Sequence, residues 1–522
     1  MGYKFLSSKI FKTTLLFIVL GELFSLCGFL VPFFMTIVFS VVVCLFLILT
    51  LHKLEYGIYI VLAELFIGSK GYLFFLEIGD LSLSIRIAFW LILMSVWAGK
   101  NITRIVSEKK FSLLHRKFSL KRGHILPYFL FLFLFMLWGI VNGFLHNNDF
   151  GNIFFDFNGW LYFTLIFPLY DIFVKERRIF RSASEALEGV SAVFAASVLW
   201  LGFKTFFLLF IFSHDMIGMT AELYRWVRLT GVGELTRMQG GFYRIFLQSQ
   251  IFSLAGFFII LCLWTERIYK NGWKNKTSCL MALFAVLLLA TIVISFSRSF
   301  WVGLVIGLLL FAAFSFWRYG WKRSIGFGGV LAAVAVVSLC LIMITVKFPY
   351  PRPLGGYNAV GLLTERAGRL TGEAAVSSRW NLLPELWRKI SREAVFGQGF
   401  GSTVTYESND PRVRETNATG EYTTYAFEWG WLDIWLKLGI FGLLTYLFIL
   451  FNITFIAVKL SKTKKAGMHA GLAIGLIVVA AVNFFSPYFN HPLGIGYLML
   501  TAVIFESGLT GFRCGQLSLD KK

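Results

Sequence analysis

The chain has 522 residues, 57% of them hydrophobic and only 15% charged, with a mean hydropathy of +0.73. That balance excludes a water-soluble globule and points to an all-α polytopic integral membrane protein. The formal charge of +21 does not indicate nucleic-acid binding, because much of the excess lies in short basic connections between apolar runs, as positive-inside topology requires.

Taken in chain order, the apolar runs predict spans near 13–31, 33–51, 56–76, 82–99, 125–143, 159–174, 187–212, 241–264, 278–296, 299–317, 326–346, 431–457, 468–485 and 493–511. About 12–14 transmembrane helices are therefore expected. The first run passes through Gly21, Glu22 and Pro32 directly into the next without a small-residue cleavage site, so it reads as a retained helix. The basic connections are "KNITRIVSEKKFSLLHRKFSLKRGH" (100–124), "KERRIFR" (175–181), "ERIYKNGWKNK" (266–276), "RYGWKR" (318–323) and "KLSKTKK" (459–465). All fall on one side of this path, which places them and both termini in the cytoplasm. Glu64 and Arg86, in neighbouring spans, are expected to pair as structural glue. Five of the six cysteines lie in or beside spans and Cys514 lies in the tail, which gives neither a disulfide framework nor zinc spacing.

One run, "ATIVISFSRSFWVGLVIGLLLF" (290–311), carries Arg298 at its centre. An arginine in mid-bilayer is costly, by roughly 2.5–3.5 kcal/mol on insertion scales. Cys279–Phe296 is about 27 Å of helix, nearly a full crossing, and Trp301–Trp317 crosses again. "SFSRSF" therefore reads as a hairpin apex on the outer face. Two further outward segments are "HNNDFGNIFFDFNGW" (146–160) and 213–244, the latter with Arg225, Arg228, Arg237 and Arg244. The longest, about 347–427, is too long to lack structure of its own and should fold as a cap. Within it Leu382, Leu383, Leu386, Trp387 and Ile390 recur at helical spacing, and "GQGFGS" supplies glycines to end the helix.

The cap favours arginine: its basic residues are Lys347, Arg352, Arg366, Arg369, Arg379, Arg388, Lys389, Arg392, Arg412 and Arg414. Guanidinium forks bind phosphate two-pronged and keep their charge at any relevant pH. The competing reading is a solvated helix whose arginines pair with Glu365, Glu373, Glu385 and Glu393. None of the seven histidines lies in this loop, and no metal-ligand spacing or nucleotide fingerprint occurs, so neither metal nor cofactor is expected.

The succession "SFSRSFWVGL", "SSRWNLLPELWRKISREAVFGQGFGS" and "FEWGWLDIWLKLGIFGLLTYL" resembles the O-antigen ligase and polymerase family over about residues 230–460. In that pattern Arg298 matches the hairpin arginine and Arg379 the loop-helix arginine. Gly397 and Gly399 match the turn, Gly439 and Gly442 the following span, and Arg237 a weaker arginine. The family's histidine position holds Glu428 here, so the general base would be a carboxylate. The resemblance implies a GT-C-like fold and a metal-independent, inverting glycosyltransferase of the bacterial cytoplasmic (inner) membrane, working outward in cell-surface polysaccharide biosynthesis. Its donor would be an undecaprenyl-diphosphate-linked glycan drawn from the bilayer. Its acceptor would be a second glycan, lipid A-core or a protein hydroxyl. Glu428, Arg298 and Arg379 would be catalytic, with Arg237, Arg244, Arg298 and Arg379 around the diphosphate. The organisation expected is N-terminal spans (1–230), a family core (231–460) containing the 347–427 loop, and C-terminal spans with a cytoplasmic tail (461–522). A flippase of lipid-linked glycans, or a protein O-oligosaccharyltransferase, is the alternative.

Overall fold

The computed structural model describes residues 8–79, 81–108, 125–175, 182–214, 216, 218–238, 241–272, 275–355, 374–461, 463 and 465–519. Arg366, Arg369, Glu365 and Glu373 of the cap, and most of the basic connections at 100–124 and 175–181, lie outside these residues. Among the described residues, twelve helices are long and apolar enough to cross a membrane. They coincide with twelve of the fourteen expected spans. The remaining two are shorter helices, Leu54–Ile67 and Ala466–Val482.

Leu54–Ile67 differs most from expectation. It has fourteen residues, about 21 Å at 1.5 Å per residue, and it stops at Gly68. The chain then turns through Gly71 (φ 90°) into a two-stranded ribbon, Phe75–Ile78 against Leu81–Ser84. The expected span at 56–76 had averaged a helix and a strand into one apolar run. Arg86, just beyond the ribbon, returns to Glu64 with both prongs at 2.9 Å and donates to the Ser69 carbonyl at 2.7 Å. The expected pair is therefore present, and it is buried.

Two of the segments expected to face outward are also more ordered than a loop. Residues 146–160 contain the helix Phe150–Asn158, capped by Asp149, which runs on through irregular helical turns to Lys175. The expected span at 241–264 begins later, at Gln250, because 243–247 form a strand paired with Gly233–Arg237. A short amphipathic helix, Met219–Leu229, precedes that ribbon.

The cap is built on Ala374–Arg392, with Leu382, Leu386 and Ile390 buried against Val404, Phe427 and Leu436. Trp387, expected on the same apolar face, is half exposed and packs edge-on against Trp435. A third ribbon, Val404–Glu407 with Glu421–Thr424, completes the described cap before the helix Gly430–Leu460 re-enters the bundle.

Candidate active site

The cap is fastened to the bundle by its glycine turn. Gly397, Gly399 and Gly401 all have φ between 73° and 77°, a left-handed conformation that side chains resist. There is also no room for one: a Cβ on Gly399 would meet the Gly143 Cα at 2.5 Å, and one on Gly397 the Gly439 nitrogen at 2.6 Å. Opposite this turn the helix Gly430–Leu460 breaks at Gly439 (φ 69°, ψ 179°). Ile440 N–H would ordinarily bond the Leu436 carbonyl one turn back. It donates instead to the Ala394 carbonyl at 3.0 Å, while Gln398 N–H donates to Leu436 at 2.6 Å. Both groups freed by the break are thus satisfied by the cap, as a low-dielectric setting demands. Asn142 and Asn148 add side-chain donors to the turn carbonyls of Gly397 (2.7 Å) and Phe400 (2.9 Å).

A buried ionic network lies beside the turn. Lys437 reaches Asp156 at 2.5 Å and Asp433 at 2.6 Å, and all three side chains are at most 7% exposed. Asp156 also accepts from Gly401 N–H at 2.9 Å, and Asp433 from the Asn490 amide at 2.5 Å. Four segments distant in sequence are locked together here. The sequence reading did not single out these residues, although Asp433 and Lys437 stand at i,i+4 spacing on an apolar helix, the signal that would have found them.

Glu428 stands two residues before this helix. Arg379, on the cap helix, engages it two-pronged: Nε donates to one carboxylate oxygen and Nη2 to the other at 3.1 Å. The pair is accessible, with side chains 34% and 48% exposed. Trp429 pins the contact by donating its indole N–H to the Arg379 carbonyl at 3.0 Å. Three guanidinium N–H groups of Arg379 remain beyond those two prongs. Tyr406 lies near enough that burial, and secondarily the charge of Glu428, raise its phenol pKa. Burial lowers the Lys389 pKa, and Arg392 adds to the effect.

Arg298 opens the helix Arg298–Tyr319 as expected and is partly buried. Arg244 is tied to the same apex, its Nε donating to the Ser295 carbonyl at 2.9 Å, with its guanidinium stacked 4.8 Å from the Phe246 ring. The apex and the Glu428 end meet a common segment, residues 483–488. Ser299 contacts Ser486 at 3.2 Å, Phe485 packs on Trp429 at 5.8 Å, and Gly430 N–H donates to the Asn483 carbonyl at 3.1 Å. Arg237 is placed differently. It pairs in register with Tyr243, whereas Arg244 pairs with Thr236, so the two arginines project from opposite faces of the ribbon. Arg237 is exposed at the ribbon end.

The arrangement offers a carboxylate held by a guanidinium, a hairpin apex bearing Arg298 with Arg244 tied to it from the neighbouring ribbon, and one shared segment between them. Such a site can accept a proton on one side and stabilise a departing anion on the other. Against known proteins, the family model described as O-Antigen ligase matches residues 283–447. That stretch contains Arg298, Arg379, the glycine turn, Glu428 and the helix break. No curated protein matches the chain.

Proposed function

From a chain whose residues 283–447 belong to the O-antigen ligase family, we propose an inverting glycosyl transfer on the outer face of a bacterial cytoplasmic membrane. The observation that carries this reading is the Arg379–Glu428 fork at the mouth of the bundle, joined through residues 483–488 to the Arg298 apex. The donor is a glycan on undecaprenyl diphosphate. Glu428 takes the proton of an acceptor hydroxyl, whose oxygen attacks the anomeric carbon. The bond from that carbon to the diphosphate breaks, and its electron pair leaves on the lipid diphosphate. Arg298 and Arg244 face that developing charge, and fixed cationic donors of this kind are worth about 10²–10³ in rate. Arg379 orients the base and turns its remaining N–H groups to the diphosphate.

The carboxylate in place of the family's histidine favours polymerisation, with a second lipid-linked glycan as acceptor, over transfer to lipid A-core. The test is the product formed when the purified full-length protein in liposomes receives a defined lipid-linked glycan, read by mass spectrometry. Extended glycan on a single lipid diphosphate supports the reading. Movement of unchanged donor across the bilayer without covalent transfer replaces it with a flippase.

A further inference from the structure

The proposed chemistry leaves unused a cleft of about 710 Å³ between the helices Pro32–His52 and Ile85–Glu108. It lies at the end of the bundle away from the cap. Arg86, near the start of the second helix, is bonded to Ser69, and Ser69 to Ser249 at the mouth of the helix that follows the outer ribbon. Lys100 stands fifteen residues beyond Ile85, about 22 Å along the axis. Leu51, Val96 and Gly99 form the cleft wall, and Lys100, Thr103 and Arg104 supply its polar lining.

Lys100 sits at the C-terminus of the facing helix, donating to the Leu51 carbonyl at 3.1 Å, where the helix dipole favours a cation. A second, longer contact reaches the Thr50 carbonyl at 3.4 Å, so two of its three donors are engaged and one remains. A Cβ on Gly99 would meet nothing within 4 Å, so the cleft is open there. From it an exposed line of Gly99, Ser95 and Leu91 climbs one face of the helix at four-residue spacing, and Ile48 lies exposed on the neighbouring helix. Cations below and an exposed line of small and apolar residues above have the polarity of a lipid in its leaflet: a charged headgroup at the rim, a chain against Leu91 and Ile48.

We propose that this cleft binds an anionic phospholipid of the leaflet opposite the cap, its headgroup phosphate on Lys100 and Arg104 and a chain along Ser95 and Leu91. The site is separate from the glycosyl-transfer reading and stands or falls without it.

The experiment uses delipidated full-length protein in neutral detergent, titrated with phosphatidylglycerol, with phosphatidylcholine of matched chains, or with soluble glycerol phosphate, and read by native mass spectrometry. Phosphatidylglycerol should be retained roughly 30-fold more tightly than phosphatidylcholine, and the Lys100→Ala, Arg104→Ala double variant should lose that preference. A control that removes Lys270 and Arg323, cations at the same end, should keep it. Equal retention of both lipids, an unchanged double variant, or occupancy by glycerol phosphate alone would each overturn the proposal. Should the double variant not fold, Gly99→Leu fills the cleft while leaving both charges. It should abolish phosphatidylglycerol retention, and undiminished retention in that variant likewise rejects the site.

Discussion

Two arginine–glutamate forks in this molecule have nearly the same chemistry and opposite surroundings. Arg86 and Glu64 are closed on each other between helices, 5% and 6% exposed, with a backbone carbonyl taking a third donor. Arg379 and Glu428 make the same two-pronged contact at the mouth of the bundle but are 34% and 48% exposed. A buried fork has no alternative partner, so opening it strands a charge. A half-exposed fork is weakly held by comparison, since water competes for both groups. It can exchange its partner for a ligand without that penalty. The same motif is thus a rivet in one place and a handle in the other, and exposure makes the difference.

The hardest test of this contrast is Glu428→Gln, which removes the proposed proton acceptor but keeps the side chain's shape. Transfer should fall by about 10²–10⁴ while donor binding survives. Normal turnover in a purified assay would end the role assigned to this residue. At the buried fork the effect should appear in stability instead. Arg86→Ala should destabilise the fold by about 3–5 kcal/mol by leaving Glu64 unpaired, measured by denaturation in detergent, and replacing both partners with apolar residues should recover most of the loss.

Arg379→Lys comes next. An ammonium loses the planar fork, so activity should drop by about 10²–10³, close to the loss in Arg379→Ala, with little change in unfolding. A fully active lysine variant would show that charge alone suffices. The smallest effect belongs to a surface pair. Arg225 and Glu222 are 3.1 Å apart and 64% and 42% exposed, and Arg225→Ala should shift stability by less than about 1 kcal/mol.

Much of the fold was legible because hydropathy and length constrain a membrane helix so tightly. Twelve expected spans and the Arg298 apex follow from that constraint alone. What it cannot resolve is an apolar strand adjoining a helix, which is why 56–76 read as a crossing and 241–249 as part of one. Both contain ribbons whose alternation is lost among apolar neighbours. Of the candidate site, the resemblance singles out Arg379, Glu428 and the glycines, and it gives a role to the Arg298 that hydropathy already places at the apex. The direct contact of Arg379 with Glu428 was not, because it joins residues 49 apart through a cap whose packing no local pattern encodes. Nor was the divergence of Arg237 from Arg244. That depends on strand register, and a single residue of register moves a side chain to the other face.

The suture between the cap turn and the break at Gly439 also bears on biogenesis. Leu436 and Ile440 rely on backbone supplied by residues 394–398, which leave the ribosome about forty residues earlier. When the last part of that helix is made, its template has already been synthesised. A chain lacking the cap would present two unpaired peptide groups to hydrocarbon at this point, each costing several kcal/mol. Cap and bundle should therefore mature as one cooperative unit, and excising the loop should yield a protein that quality control removes, not a minimal stable bundle.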